Sequence, residues 1–372
     1  MQITVSPASL WLRRIVLGAV LAGMLSLACG PAASNAAEAG PALIRVTAAS
    51  HASALSFRAG SALAWVGDST IALLDVDDGQ VVLQPLYTGA ERRIARKGSG
   101  PGELRLPVDV LASPDRELVV ADGLAQRLTR FDAASRYVAS QPLPGMPLHL
   151  LRRTGDHVLV LWVRFGGGGP EIADVDLVSG RVSRSWNPFQ LSAALSRGSE
   201  GVSGPSPFVA ATVDRRGRVV IGGGTDYRLF RFTEAGALVS SFGRDGLTPE
   251  KYSRAERAEV ERGMMQVTRG RGGAGAREAL DALFARPKPF FGANALASDV
   301  RGNVWVATSR RTDVGSLVDV FRDDGSWSGT VSVRDDVVCL AARGSLLAVL
   351  VKRLSGPHEG AFGVDVYRVT GA

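Results

Sequence analysis

The chain has 372 residues, 45% of them hydrophobic, and a formal net charge of +7. This length accommodates one large all-β domain or two ordinary domains. No aromatic-rich basic module accompanies the positive charge, so we predict no nucleic-acid binding. Of the two cysteines, Cys29 and Cys339, only Cys339 lies in the body of the chain, which excludes an internal disulfide in the folded domain.

Residues 1–36 have the features of a bacterial export signal. Arg13–Arg14 form a basic region, and residues 15–28 are apolar but too short to span a bilayer comfortably. Two cleavage sites are open: one before Cys29, in a lipobox-like sequence, and one near residues 34–36, where small residues have the right spacing. Both predict export, to the periplasm, to the outer membrane through a lipid on Cys29, or out of the cell.

After residue 40 the sequence consists of short β-rich runs separated by turn clusters. The first well-marked cluster is Arg96–Leu104, which contains three glycines and one proline within five residues. Such a segment is neither helix nor central strand, so it predicts a tight reversal. We interpret it as the connection between two four-stranded units.

A repeat is visible in residues 113–137, 214–238 and 299–327, which share the order strand, Asp/Gly turn, strand, loop, strand, Gly/Ser turn, strand. Weaker copies fill most of the intervals. The residues that mark the end of the third strand are Leu86, Phe131, Val175, Phe232, Phe321 and Tyr367. Several of these marks are separated by about 45 residues. Four strands in each such unit are typical of a β-propeller.

The interval between the fourth and fifth marks is about twice as long as the others. Thr248 and Pro249 have the features of a helix start, because a capping hydroxyl precedes a proline in the first turn. Residues 249–262 are rich in Ala, Glu and Arg, and residues 276–286 predict a second helix. We therefore predict a helical insertion at residues 246–289 between blades four and five, and six blades in total.

The last unit offers only three strands, Val337–Arg343, Leu346–Lys352 and Gly363–Val369. At the other end of the chain, residues 41–46 form an unassigned β run. Placing this run as the fourth strand of the last blade closes the ring and removes an exposed sheet edge. The predicted fold is an all-β, six-bladed β-propeller over residues 41–372.

Two sequence signatures carry a resemblance to a known group. They are Gly98-Ser99-Gly100-Pro101-Gly102-Glu103-Leu104 with Pro107, and Val119-Val120-Ala121-Asp122 followed by Arg127-Leu128 and Phe131-Asp132. In these segments the chain resembles the NHL-repeat proteins and related six-bladed β-propeller proteins. The export signal predicts that it is an exported bacterial member of such a group. It departs from the repeat at Ala125, where Asn is usual, and at residues 222–224, where an Asp would end the strand. The resemblance implies the ring but not one function, because such rings host binding modules, lyases, lactonases and quinone-dependent dehydrogenases.

The inner strands of a propeller line its central channel, so their polar residues are the first candidates for chemistry. Asp109, His149 and Asn294 stand near predicted inner-strand starts. Oxygen ligands at a channel mouth suit Ca²⁺, and an imidazole can move protons. These three are our candidate catalytic residues. The four histidines lack zinc-like spacing, and we predict no other metal.

Asp122 and Arg127 lie on either side of the loop between the second and third strands of blade two, and Arg228 corresponds to Arg127 in blade four. They are candidate binding residues, although an ion pair that braces the loop is the favoured interpretation. Cys339 lies in an apolar run without charged neighbours, which favours a small buried side chain over a nucleophile.

Two functions remain open at this level. The first is a non-catalytic, monomeric scaffold without cofactor that binds a protein, peptide or glycan at the cell envelope and touches membrane only through a lipid anchor. The alternative is a channel-sited, cation-dependent hydrolase or lyase of lactonase type, with Ca²⁺ as its cation. The insertion either covers the channel mouth or docks a partner, and its arginines would attract an anionic ligand.

Overall fold

The computed structural model describes residues 41–49, 60–87, 89–164, 169–191, 209–223, 226–254, 256–258, 260–261, 274–313, 315–355 and 359–370. These residues form six four-stranded antiparallel sheets. The sheets are the blades of a β-propeller, which confirms the predicted fold. The predicted export signal, with Cys29, and the histidines His51 and His358 lie outside the described residues.

The first three blades follow one another along the chain, each running from its inner to its outer strand. Blade one contains β2 (Gly60–Val66), β3 (Thr70–Asp75), β4 (Gln80–Pro85) and β5 (Arg92–Ile94). Blade two contains β6 (Pro107–Ala112), β7 (Leu118–Asp122), β8 (Arg127–Phe131) and β9 (Tyr137–Pro142). Blade three contains β10 (Gly145–Thr154), β11 (His157–Arg164), β12 (Pro170–Asp176) and β13 (Val182–Trp186), followed by a short helix, α1 (Pro188–Leu191).

The second half of the ring repeats this pattern. Blade four contains β14 (Val209–Val213), β15 (Val219–Gly223), β16 (Arg228–Phe232) and β17 (Leu238–Gly243). Blade five follows helix α2 (Ala274–Phe284) and contains β18 (Phe291–Ser298), β19 (Val304–Arg311), β20 (Gly315–Phe321) and β21 (Trp327–Arg334). Blade six contains β22 (Asp336–Arg343), β23 (Leu346–Lys352), β24 (Phe362–Thr370) and, from the other end of the chain, β1 (Ala42–Ala49).

The ring is closed by its N-terminal strand, as predicted. Strand β1 pairs antiparallel with β24, from Ala42 opposite Thr370 to Ala49 opposite Val364. Each inner strand lies beside the inner strands of two neighbouring blades, including β2 beside β22. Closure matters because an unpaired outer strand would expose a row of backbone donors and acceptors.

The hydrophobic core lies between the blades rather than in one central mass. Its clusters join blades one and six, one and two, two and three, three and four, and four to six. Strands inside the ring are therefore covered on both faces. In β11 every side chain from Val158 to Val163 is buried. A strand covered on both faces loses the alternation of polar and apolar residues. The period of the repeat therefore predicts the blades better than the alternation within a strand does.

The insertion between β17 and β18 is helical, and the rings of Tyr252 and Phe284 pack within it with centroids 5.4 Å apart. Residues 254, 256–258 and 260–261 are helical, and α2 is the second helix. The predicted start of the first helix at Thr248 is wrong. Ser253 is the cap: its Oγ accepts the N–H of Glu256 at 3.2 Å, and the Glu256 carboxylate accepts the N–H of Ser253 at 2.7 Å. This reciprocal capping box satisfies two backbone N–H groups at the start of the helix. A start at Pro249 would place there a residue that has no N–H of its own.

The ring has an upper and a lower face. The upper face is the end where inner strands begin, and the lower face is the end where they turn into second strands. The insertion joins the outer strand β17 to the start of the inner strand β18, so its attachment points lie on the upper face. Within the described part of the chain, no helix has the length and apolar character needed to cross a membrane.

Candidate functional site

The inner strands of all six blades surround a central cavity of about 310 Å³. Most of the residues that line it are of apolar type, among them Leu63, Leu150 and Leu340. The three candidate catalytic residues of the sequence analysis, Asp109, His149 and Asn294, all line this cavity. The structure thus brings together side chains that come from blades two, three and five.

Asp109 and His149 are engaged with backbone groups. The Oδ1 atom of Asp109 accepts the N–H of Val110 at 2.8 Å, and Oδ2 accepts the N–H of Leu150 in blade three at 2.8 Å. The Nε2 atom of His149 lies 3.1 Å from the carbonyl oxygen of Val209 in blade four. Its Nδ1 lies 3.6 Å from Asp109 Oδ2, beyond hydrogen-bond range. These contacts connect three consecutive inner strands.

The contacts of Asp109 and His149 bear on both catalysis and metal binding. A general base needs a lone pair directed at the substrate, and a calcium site needs several oxygens directed at one point. Both oxygens of Asp109 point instead at amide groups, and His149 Nε2 points at a carbonyl. Among the described residues, no group of three or more His, Cys, Asp or Glu side chains has the arrangement of a metal site. The catalytic assignment of these residues stays a prediction.

Cys339 also reaches the cavity wall, from β22. Its side chain is buried, with an exposed fraction of 1%. Burial raises the pKa of the Cys339 thiol far above its usual value, and the negative charge of Asp109 adds to the shift. Because only the thiolate is a nucleophile, Cys339 acts as a small core residue, as its apolar neighbours indicate.

Asp122 and Arg127 hold the glycine-rich loop of blade two. The carboxylate of Asp122 accepts the N–H groups of Arg105 and Leu106 at 2.9 and 3.0 Å. Arg127 Nη2 donates to the carbonyl of Glu103 at 2.5 Å and lies 3.7 Å from Asp122 Oδ2. In the same loop Gly102 has a φ of +72°, a conformation that a residue with a Cβ adopts at a cost. Both side chains therefore brace the loop.

Arg228 occupies the matching place in blade four but makes a different contact. Its Nη2 lies 2.8 Å from Asp245 Oδ1, and the side chains of the two residues are 39% and 91% exposed. Arg228 belongs to blade four, whereas Asp122 and Arg127 belong to blade two. The binding role of these three residues stays a prediction.

A second polar cluster, which the sequence analysis missed, lies at the upper face between blades five and six. Its centre is Asp336, the first residue of β22, whose side chain is 1% exposed. Oδ1 of Asp336 lies 2.8 Å from Arg311 Nη2 and accepts a long hydrogen bond of 3.3 Å from Ser316 Oγ. Oδ2 is buried without a hydrogen-bond partner. The sixth inner strand was predicted to start one residue later, at Val337, so this carboxyl was not recognised.

Burial raises the pKa of Asp336 to about 7, although Arg311, Lys288 and Lys352 all act to lower it. Desolvation therefore outweighs three positive charges. The preceding residue, Asp335, has a φ of +72°, and its carboxylate lies 2.9 Å from Arg353 Nη1. The left-handed turn at Asp335 is the last step before the chain enters β22. We call Asp336, Arg311 and Lys288 the upper-mouth cluster.

Lys288 ties the insertion to this cluster. Its Nζ lies 2.5 Å from Glu256 Oε1, and both side chains are less than 10% exposed. Burial acts to raise the pKa of Glu256, but Lys288 and Ser253 together hold it below its usual value. Lys288, Arg311 and Asp336 line one small cavity of about 30 Å³. The buried ion pair thus joins the two ends of the insertion, and Lys288 Nζ also lies 3.4 Å from the carbonyl oxygen of Ser309 in blade five.

A third buried network joins blades four and five and has a structural character. The Asp319 carboxylate, fully buried, lies 2.5 Å from Arg310 and 3.2 Å from Arg244, and it accepts hydrogen bonds from Tyr227 and Thr330. Burial, with the adjacent charge of Asp319, raises the pKa of Tyr227 well above its usual value. These partners come from both blades, so the network holds the two blades together.

Comparisons with known proteins show the fold alone. No family model matches the chain, and no curated protein matches it. Among solved structures, a member of the DUF4221 family from Bacteroides vulgatus has a TM-score of 0.55 and 10% identity, over 90% of this chain and 99% of that one. A protein from Bacteroides fragilis that is proposed to be exported has a TM-score of 0.52 and 10% identity, over 89% and 95% of the two chains.

Enzymes with this architecture are also similar in fold. A gluconolactonase from Xanthomonas campestris has a TM-score of 0.49 and 12% identity, over 92% of this chain and 99% of that one. A likeness of this size carries no argument about activity. What the chain does must be inferred from its own residues.

Proposed function

We propose that this chain is an exported, non-catalytic binding scaffold that holds a protein, peptide or glycan at the cell envelope. The observation that carries the proposal is the upper-mouth cluster, where Asp336 Oδ2 is buried without a partner beside Arg311 and Lys288. A buried carboxyl oxygen without a hydrogen bond is costly. A donor supplied by a ligand would remove that cost.

The size of the mouth argues for a large ligand that inserts one small group. The cavity of about 30 Å³ has room for about one water-sized group. A free metabolite would gain little from so small a site. A glycan hydroxyl or the tip of a peptide side chain fits, while the rest of such a ligand lies across the upper face beside the insertion.

Charge favours a hydroxyl or an acidic group over a cation. Three positive side chains, Arg311, Lys288 and Lys352, surround Asp336, and Glu256 is the other acid of the group. With a pKa of about 7, Asp336 either accepts a hydrogen bond as a carboxylate or donates one as a carboxylic acid. The mouth is therefore suited to groups that both donate and accept, as sugar hydroxyls do.

Export is supported by the sequence of residues 1–36, with its basic Arg13–Arg14 pair and apolar segment. The Bacteroides fragilis protein of similar fold, itself proposed to be exported, is consistent with this address. Replacing Cys29 by Ser tests the anchor. Release of the protein from membranes would identify a lipoprotein, and unchanged fractionation would favour cleavage near Ala36.

The test of binding uses the full chain, exported and purified with an affinity tag, to capture partners from envelope extracts. Captured proteins and glycans are identified, purified and titrated by calorimetry against the wild type and Asp336→Asn, which keeps the shape of the side chain. We expect about tenfold or greater loss of affinity in the variant, since it perturbs a hydrogen bond to a charged group. Asp115→Asn, an exposed aspartate in the lower-face turn after β6, is the matched control.

Equal affinity of the wild type and Asp336→Asn for every identified ligand would contradict the proposal. So would an equal loss of affinity in Asp115→Asn, because the effect would then not belong to the upper mouth. Circular dichroism and melting of each variant separate a binding defect from a folding defect.

The alternative, a channel-sited and cation-dependent hydrolase or lyase, is favoured by one observation: Asp109, His149 and Asn294 line the same cavity. Metal analysis of the purified chain, followed by melting with and without chelator, discriminates the two functions. One Ca²⁺ per chain and a melting temperature that falls with chelator would favour the enzyme. A chelator-insensitive melt and metal-free protein that retains ligand binding would favour the scaffold.

A further inference from the structure

A separate pocket opens on the lower face, between blades four and five, with a volume of about 550 Å³. It lies away from the upper mouth and from the central cavity, and the proposed function does not use it. Its wall is built from the turns after β14, β18 and β20 and from the middle of blade four. Five arginines contribute to it: Arg216, Arg218, Arg231, Arg301 and Arg322.

Positive charge exceeds negative charge around this pocket. Asp323 alone receives three guanidinium groups: Arg215 at 2.9 Å, Arg216 at 2.6 Å and Arg218 at 2.9 Å. The pocket wall and the residues that pair with it or accept its N–H groups together contain six arginines and four aspartates, which are Arg215, Arg216, Arg218, Arg231, Arg301 and Arg322 with Asp214, Asp299, Asp323 and Asp324. This group of residues therefore carries an excess of two positive charges.

The floor of the pocket is held rigidly. Arg218 Nε lies 2.8 Å from Asp214 Oδ2, and its Nη2 lies 2.9 Å from Asp323 Oδ1. Arg231, with a side chain only 2% exposed, stacks on the Phe242 ring at 4.7 Å and donates from Nη1 to the Asp323 carbonyl at 2.9 Å. Rigid guanidinium groups lose little entropy when a ligand binds.

Arg231 is only partly compensated within the protein, because its Nε lies 3.2 Å from Asp214 Oδ2 without making a hydrogen bond. Its Nη2 is buried and has no hydrogen-bond acceptor. Burial lowers the pKa of the Arg231 guanidinium, and the charge of Arg218 lowers it further. A buried, underpaired cation raises the local potential, and an anion in the pocket would lower the energy of the whole group.

The rim of the pocket can reach a ligand. Arg216, Arg301 and Arg322 are exposed, and they come from three different turns of two blades. They therefore approach the pocket from several directions. A planar carboxylate pairs best with one guanidinium fork in its own plane, whereas a tetrahedral oxyanion accepts donors from several directions. A doubly charged oxyanion would also offset the two excess positive charges.

We propose that the pocket between blades four and five is a binding site for a phosphate or sulfate group. Arg216 and Arg322 clamp the oxyanion from the rim, and Arg218 and Arg231 supply the positive floor beneath it. A phosphate ion occupies only a part of 550 Å³. The pocket therefore has room for the sugar of a phosphorylated or sulfated glycan as well as for the free ion.

The test is calorimetric titration of the full mature chain at low ionic strength with inorganic phosphate, inorganic sulfate and glucose 6-phosphate. We expect saturable binding at one site per chain and a higher melting temperature in the presence of the ligand. Equal affinity for inorganic phosphate and glucose 6-phosphate identifies a site for the free ion. About tenfold tighter binding of the sugar ester identifies a site for the glycan-borne group.

The variant is Arg216→Gln with Arg322→Gln, two exposed positions whose replacement leaves the buried floor in place. We expect affinity to fall about tenfold or more, since charge-assisted hydrogen bonds are lost. The control is Arg136→Gln, in the equivalent turn of blade two, where the arginine is 80% exposed and paired with Asp132 at 2.7 Å. Absence of saturable binding of all three anions, or equal affinity in the double variant and the control, would overturn the proposal.

Discussion

The central cavity and the upper mouth both collect polar side chains, but those side chains differ in the groups that they bond. In the cavity, Asp109 and His149 hold backbone groups of the next blade. At the upper mouth, Asp336 and Lys288 pair with other side chains, and Asp336 keeps one oxygen without a partner. Backbone groups are obligatory partners that must be satisfied. The cavity residues are thus committed to the fold, whereas the mouth residues can accept a new partner.

The largest expected effect concerns the buried ion pair that joins the two ends of the insertion. Lys288→Met removes the partner of Glu256 and leaves a buried charge uncompensated. We expect the free energy of unfolding to fall by about 3–5 kcal/mol, measured by urea denaturation. Lys251→Met, an exposed lysine of the same insertion, should change it by less than about 0.5 kcal/mol. Equal effects of the two substitutions would show that the insertion is not anchored through Lys288.

The next effect is a pH dependence that belongs to Asp336. Its pKa is about 7 in the folded protein, and about 3.9 is expected when it is unfolded. At a pH between these two pKa values, the folded protein binds the proton more tightly than the unfolded protein does. The contribution of Asp336 to stability is therefore present below pH about 4 and is lost as the pH rises through about 7. Asp336→Asn stays neutral throughout, so it should gain about 2–4 kcal/mol on the wild type between pH about 4 and about 8.

Denaturation of both proteins across this pH range checks the expectation. A constant difference between the wild type and Asp336→Asn would mean that Asp336 is ionised in the folded protein, as its pair with Arg311 alone would favour. In that case the carboxylate of Asp336 would be stabilised by its partners within the protein, as that of Asp109 is in the central cavity.

A smaller loss is expected in the cavity itself. Asp109→Ala leaves the N–H of Leu150 without its acceptor and should lower the free energy of unfolding by about 1–3 kcal/mol. Asp109→Asn, which keeps one oxygen, should recover a part of the loss. Asp115→Ala, in an exposed turn of the same blade, is the control. Unchanged stability of Asp109→Ala would show that the residue is free for chemistry, and the enzyme hypothesis would gain.

The smallest effect is expected at the surface. Arg228 pairs with Asp245, which is 91% exposed, so Arg228→Ala should change the free energy of unfolding by about 0.5 kcal/mol or less. Arg127→Ala removes donors to the carbonyl of Glu103 and should cost about 1 kcal/mol. Thermal melts of the two variants measure the difference. A larger loss at Arg228 than at Arg127 would contradict the assignment of Arg127 as the loop brace.

The candidate site was predictable only in part. Asp109, His149 and Asn294 were placed correctly on the channel wall, because inner strands can be recognised from the repeat. That Asp109 holds Leu150 in the next blade could not be seen, since the two residues are 41 positions apart. Asp336 was missed because the strand was predicted to begin one residue later, at Val337, which places Asp336 in the preceding loop.

The sequence by itself determined the ring: turn chemistry and the spacing of the units set the blades, and the three-stranded last unit required β1 as its fourth strand. These are local signals, because a turn or a strand is specified by a few adjacent residues. Only the tertiary structure decided which charges meet between blades, as where Asp323 contacts Arg218 from 105 positions away. Such contacts depend on how two twisted sheets pack against each other, and no local pattern records that packing.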